Sequence, residues 1–405
     1  MLNIIRPVTT LLIAIFMLMA GGGFLSTLIS LRLGENGTAP MYIGLVATCY
    51  FTGLMIGSIL TFNIVARVGH IRAFAAFVSL FSATSLCYAI HLDPLMWSVL
   101  RLIDGFCVAG VFVCLESWLN ERAEPTTRGS VLAFYMIALY AGQGAGQFLI
   151  NLSARWPVMP FIAASVLLSL AVIPVALTHI PAPTMAQGGL MSIRTLYRTS
   201  PLGITGAIAT GLMLGAFYGL GAVFARGIGF DIAGTALFMS VTILGGIALQ
   251  WPLGRFSDIL DRRKVIVGTM AATMVICLLI VAMAAGYHAM LAAGALFGGT
   301  SFALYPLCVA HTNDHLQPEQ RVGASGALVL AYSLGAAVGP LVGAAAMTAF
   351  GARGLFVFIA LCAATALAFA IWRVWVAPAV PDALQQPYQV LPRTTPAVAS
   401  LDPLA

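Results

Sequence analysis

Three charged side chains stand where charge is costly. Arg101, Asp104 and Glu116 share one apolar run, roughly 95–118, and no other charges lie well inside such a run. At about 100° per residue, a helix places the three within an arc of about 120°, with Gly105 and Phe112 between them. A charge at the centre of a bilayer costs about 2.5–3.5 kcal/mol on insertion scales, so such residues face a cavity and pair. Arg101 can bind an anionic or polar ligand group, and Asp104, near the middle of the run, can carry a proton. The plainer reading of this i,i+3 spacing is a salt bridge that only packs helices. Glu116, one turn from the run's end, is a second proton site or part of a gate.

Other polar positions are sparser. Tyr140, Gln143 and Gln147 share one helical face and could hydrogen-bond a ligand or a neighbouring helix. Phe217, Tyr218 and Tyr305 are candidate cavity aromatics, although aromatics at helical spacing more often pack. His311 and His315 flank Asp314 at metal-like spacing, but at the end of an apolar run they read as part of a gate, so neither metal nor cofactor is expected. No G-x-x-x-x-G-K-[ST] loop occurs, which excludes ATP hydrolysis. The seven cysteines all lie in apolar runs and read as small core residues.

The elements that must position these residues follow from composition. The chain has 405 residues, 60% hydrophobic and 8% charged, far from the roughly 25% charged of soluble domains. A soluble enzyme, a nucleic-acid-binding module and a disordered regulator are excluded. About 20 apolar residues cross a membrane. Twelve such runs occur, near 8–30, 42–64, 73–91, 95–118, 129–150, 158–178, 202–224, 233–254, 265–286, 289–311, 322–348 and 353–375. Fourteen basic residues, Arg6, Arg67, Arg194 and Arg393 among them, fall on one set of loops. Arg32, Arg155, Arg226 and Arg353 fall on the other. The basic side marks the cytoplasm and holds both termini, as an even number of spans requires. Asn36-Gly37-Thr38 and Asn151-Leu152-Ser153 read as chance matches to a glycosylation triplet.

The expected fold is an all-α membrane protein of twelve transmembrane helices in two six-helix pseudo-symmetric bundles. Residues 1–178 form the first bundle and 202–375 the second. A cytoplasmic linker, 179–201, carries Pro181, Pro183, Gly188, Gly189 and a basic stretch, Leu190–Arg198, suited to lie on the membrane surface. The proline-rich tail, 376–405, is expected to be disordered. A tandem repeat supports the division. Arg128, Gly142 and Gly146 recur as Arg321, Gly335 and Gly339, and Gly105 and Glu121 as Gly298 and Asp314, all 193 residues apart. Two repeats of six spans in one orientation imply an axis along the membrane normal.

The loop Gly254-Arg255-Phe256-Ser257-Asp258-Ile259-Leu260-Asp261-Arg262-Arg263-Lys264 resembles the G-x-x-x-D-x-x-G-R-x-K/R signature of the major facilitator superfamily, with Asp261 where glycine is usual. The first-half loop, Phe62 to Arg72, keeps Gly69 and Arg72 but has Ala66 for the aspartate. Leu100-Arg101-Leu102-Ile103-Asp104-Gly105 is similar to R-x-x-Q-G, with Asp104 replacing glutamine. Gly335 to Gly343 resembles an antiporter element that usually sits in span five. Gln250-Trp251-Pro252-Leu253-Gly254 and Glu116-Ser117-Trp118-Leu119-Asn120 are similar to the YcaD-like branch. The resemblance implies alternating access around a cavity lined by spans one, four, seven and ten. It also implies an inner gate of Arg67, Arg72, Gly254, Asp258, Arg262, Arg263 and Asp314. Asp258 is expected near Gly129 of the other half, and Arg262 or Arg263 near Asp314. Three readings stand: proton-coupled export of an amphipathic compound such as a drug-like molecule or siderophore, proton-coupled import of a polar metabolite or vitamin, and a receptor or assembly factor without turnover. The expected partners are a small-molecule substrate, protons and the bilayer of a bacterial inner membrane, not nucleic acid, with the chain a monomer.

Overall fold

The computed structural model describes residues 8–122, 127–177, 191–282, 286–376, 378, 380–381 and 385–395. Arg6, Pro181, Pro183, Gly188, Gly189 and Leu190 lie outside the described residues. The first half consists of α1 Thr9–Gly22, α2 Leu25–Glu35, α3 Pro40–Val68, α4 His70–Cys87, α5 Pro94–Arg122, α6 Arg128–Gly146 with a 3-10 continuation Gln147–Ala154, and α7 Met159–Ala176. A short α8, Ile193–Thr199, leads into α9 Pro201–Gly227, α10 Ile232–Ile259, α11 Arg262–Ala282, α12 Tyr287–Asn313, α13 Pro318–Phe350 and α14 Gly354–Val376. Among the described residues, eleven helical segments are long and apolar enough to cross a membrane, α1 and α2 counting as one. The helix α6 with its 3-10 turn takes the place of the remaining span, its apolar content diluted by glycines and Gln143.

Local chemistry sets these limits. Proline opens α3, α7, α9 and α13, where its missing N–H costs nothing. Ser200 and Asp231 cap α9 and α10 by accepting from the amides of Gly203 and Gly234. The first span breaks at Gly21-Gly22-Gly23, and a Cβ on Gly23 would press on the Gln143 side chain. Glycine runs are an ordinary cause of helix kinks. Outward faces carry Ile59, Leu278 and Leu361 exposed, as a lipid-facing surface requires.

Packing repeats across the halves. Within the first, α3 lies on α5, α1 on α6 and α7, and α4 on α5 and α7. Within the second, α10 lies on α12, α9 on α13 and α14, and α11 on α12 and α14. The repeated glycines are the contact points. A Cβ on Gly105 would strike the Tyr50 carbonyl, and one on Gly298 the Thr242 carbonyl. Likewise Gly142 and Gly146 face the carbonyls of Phe16 and Ala20, while Gly335 and Gly339 face those of Ile208 and Leu212. Without a hydrophobic force between helices in lipid, such close backbone approach is what holds spans together.

One end of the molecule, termed the basic end, carries the junctions of α3 with α4, α5 with α6, α10 with α11 and α12 with α13. The two halves meet mainly toward the far end. There Thr48 Oγ1 donates to the Ala337 carbonyl at 2.8 Å, and Ser240 Oγ to the Gly144 carbonyl at 3.0 Å.

The disorder expected for 376–405 does not describe residues 385–395. These turn back from the basic end and run between the halves, with Leu391 and Thr395 buried. Buried partners for backbone and side chains, absent from any count of apolar periodicity, are the reason. Residues 396–405 lie outside the described residues. The short helix α8 buries Leu196 and exposes Ile193 and Tyr197.

Candidate functional site

A cavity of about 120 Å³ lies between the halves. Its polar wall is Ser26, Tyr50, Tyr140, Gln143, Tyr218 and Tyr332, and its apolar wall includes Leu54, Phe112 and Met136. Both halves contribute, and Tyr218 of α9 donates to Gln143 Oε1 of α6 at 3.3 Å across the interface. The tail closes one side with Pro392, Arg393 and Thr394.

The charged triad of α5 divides into two places. Asp104 is wholly buried, but it points at α4 and not into the cavity. It accepts from Thr84 Oγ1 at 2.5 Å and from the Tyr88 hydroxyl at 2.6 Å. Arg101 bridges to the cavity wall. Its guanidinium lies 3.6 Å from Asp104, donates to Ser26 Oγ, and stacks 4.0 Å from the Tyr50 ring centroid. It also lines a smaller void with Ser26, Ile43 and Gly219. A change at Asp104 therefore reaches the cavity through Arg101 and then through Ser26 and Tyr50. Glu116 is wholly buried nearer the basic end, where it accepts from Tyr135 at 3.0 Å and from the hydroxyls of Thr394 and Thr395. Among the described residues no cation pairs with it.

The other candidates separate likewise. Tyr140, Gln143 and Tyr218 line the cavity. Gln147 is buried outside the lining, its amide donating to the Gln143 carbonyl at 3.4 Å. Phe217 packs against Phe297 and Phe238 in the second half's core. Tyr305 stands behind Tyr332 at a ring separation of 5.5 Å.

At the basic end, Arg262 is the hub. It donates to both oxygens of Asp314 at 2.8 Å, to Asp258 at 3.2 Å, and to the Gln386 carbonyl at 2.6 Å. Burial pushes the Asp314 carboxyl above its ordinary value, opposed by Arg262 and by the Gln386 amide. Arg263 pairs instead with Asp261 at 2.9 Å. Burial works to raise Asp261 too, but the hydrogen bonds from Arg263 prevail and hold it below its ordinary value. Asp258 does not reach Gly129: its hydrogen bonds come from Arg262 and from the Tyr388 amide at 2.7 Å. The tail here occupies the space a contact between the halves would need. Gly254 belongs to the same junction, because a Cβ there would overlap the Tyr388 ring. Arg67 and Arg72 are exposed and form no ion pair among the described residues.

Sequence reasoning misses five polar contributors: Ser26, Tyr50, Tyr332, Arg393 and Thr394. Tyr332 was within reach, for it follows Tyr140 by 192 positions, close to the repeat spacing. Arg393, assigned to the basic loops, instead lies in the cavity, 4.6 Å from the Phe302 ring centroid and 5.4 Å from that of Tyr332. No local pattern in the tail signals this.

Residues 11–251 and 203–389 match the profile described as Major Facilitator Superfamily. Over 359 residues the chain is 30% identical to the Uncharacterized MFS-type transporter YcaD of Escherichia coli O45:K1 (strain S88 / ExPEC), covering 88% of this chain and 92% of that protein. It is 29% identical, with the same coverage, to the Uncharacterized MFS-type transporter Ent638_1421 of Enterobacter sp. (strain 638). A substituted form of the nucleoside transporter NupG superposes with a TM-score of 0.75 at 14% identity, over 91% of this chain and 99% of that one. A bacterial homolog of the human lysosomal transporter Spinster, inward-facing and occupied, gives 0.73 at 12%, over 92% and 97%.

Proposed function

The chain belongs to the Major Facilitator Superfamily, and from that premise we propose that this membrane-spanning secondary transporter exports a small amphipathic organic compound in exchange for protons. The cavity shared by both halves carries the reading. Apart from Arg393 of the tail, its mostly apolar wall with a few hydroxyls and one amide suits a solute with an apolar body and a polar group. The two halves rock about this site, so that it opens alternately at each end. The basic end faces the cytoplasm of a bacterial cell, with both termini on that side, as the asymmetry of arginines favours.

Protons enter the scheme at Asp104. Ionised, it holds Arg101 against Ser26 and Tyr50. Protonated, it frees the guanidinium and alters the wall that the solute meets. Exchange follows if solute and proton each favour a different setting of this pair.

The test is flux into inside-out vesicles with an acidic lumen, using a panel of cationic, neutral and anionic amphipathic dyes. At least one dye should accumulate in the lumen and stop when a protonophore collapses the gradient. Accumulation indifferent to the protonophore would remove proton coupling, and accumulation only in right-side-out vesicles would reverse the direction.

A further inference from the structure

We propose that the central cavity binds organic cations, solutes with a positive charge on an apolar body, and that Arg393 of the tail holds that place as an internal competitor. The inference rests on the transporter reading and names the solute class of the same site.

The tail is secured at the basic end before it reaches the cavity. Gln386 donates from its backbone to Asp314 at 2.9 Å, and Tyr388 from its backbone to Asp258 at 2.7 Å. Five further positions of extended chain beyond Tyr388 span at most about 18 Å, enough to carry Arg393 from that anchor into the bundle. There the guanidinium meets the rings of Phe302 and Tyr332, and the next two residues donate to Glu116. Aromatic faces attract a cation most strongly where water is excluded.

Removing the tail shows what the site demands. Of the described side chains in the wall outside the tail, none is charged. Arg101 stands behind Tyr50 and Ser26 and is already paired with Asp104. An anionic solute would therefore find no cation directed at it. Among the described residues Glu116 would keep only Tyr135 as donor, a poorly compensated buried carboxylate. A cationic solute restores what Arg393 supplied, a positive group on the faces of Phe302 and Tyr332. With the tail in place the remaining space is below the roughly 300–1,000 Å³ of ordinary ligand clefts, so tail and solute exclude one another.

Tetraphenylphosphonium and tetraphenylborate have the same shape and opposite charge, which makes them suitable probes. Their equilibrium binding is measured on the purified full-length chain in detergent. A plug in place nine times in ten lowers apparent affinity about ten-fold. Arg393→Ala and Arg393→Gln should each tighten tetraphenylphosphonium binding by about that factor, while tetraphenylborate gains nothing. Arg393→Lys should stay near the parent. Adding Phe302→Leu to Arg393→Ala should reverse most of the gain, because the cation loses the nearer ring face. No gain in either neutral variant, or an equal gain for tetraphenylborate, overturns the proposal. Proton-driven flux of other dyes without this charge preference would overturn only the cation assignment. Phosphonium binding that responds to Arg393 without any flux would overturn only the transport reading.

Discussion

At the scale of single residues, the burial of charge was legible because charge is so costly in lipid. Arg101, Asp104 and Glu116 were found by that cost alone, and all three are buried. What helical periodicity could not settle was which neighbour each side chain meets within the shared arc. Asp104 faces the hydroxyls of Thr84 and Tyr88, and only its partner Arg101 touches the cavity wall. The substitutions follow from this division. Arg101→Ala leaves a buried carboxylate without its cation and should cost about 3–5 kcal/mol of stability. Solute binding should also weaken, since Tyr50 and Ser26 lose the group that orders them. Asp104→Asn keeps the shape and an acceptor for one hydroxyl, while the other must turn to accept from the new amide, so it should spare solute counterflow but abolish accumulation driven by a pH gradient. Thermal unfolding in detergent and flux in proteoliposomes separate these effects. Should Asp104→Asn accumulate solute with the parental pH dependence, Asp104 is not the proton carrier, and Glu116 becomes the buried carboxylate to examine.

At the scale of elements, the tandem repeat was visible as a spacing of glycines, but its physical reason needed the helices in place. Gly105 and Gly298 each admit a carbonyl of a neighbouring span, so the repeat preserves a contact more than a sequence. Gly298→Leu should push α12 from α10 at a cost of about 1–3 kcal/mol, read as a lower unfolding temperature. Gly268, with open space at its Cβ position, should accept leucine with little change. The break of the first span was less legible, since three glycines permit a kink without requiring one. The tail was not legible at all: its position depends on Asp314, Asp258 and Glu116, which lie more than 70 residues away in sequence. Arg262 ties this anchor together. Arg262→Ala removes the bond to Gln386 and leaves Asp314 and Asp258 unpaired, which should loosen the tail from both carboxylates. Limited trypsin digestion followed by mass spectrometry should then show faster cleavage after Arg393 than in the parent. An unchanged rate would mean that contacts within the cavity, not the anchor, hold the tail.

At the scale of the whole molecule, the two ends of the interface differ in kind. Toward the far end the halves touch directly, through Thr48 on Ala337, Ser240 on Gly144, and backbone so close that a Cβ on Gly44 would press on the Pro340 carbonyl at 2.6 Å. Toward the basic end the tail stands between the second half's Asp258 and Asp314 and the first half's Glu116. A cavity that alternates between two ends needs both arrangements to be temporary. Opening the far end must part α3 from α13, and closing the basic end must expel the tail, because the halves cannot meet where it lies. A covalent tie across Thr48 and Ala337 should therefore hold the molecule in the arrangement described here. In a background without native cysteines, Thr48→Cys with Ala337→Cys should form an oxidative cross-link that stops flux, and dithiothreitol should restore it. Binding of a probe from the basic end should survive in the cross-linked protein, since that route does not require the far end to open. A plain packing contact predicts the opposite: cross-linked protein would transport at the rate of the reduced form, and the far-end interface would then be no gate.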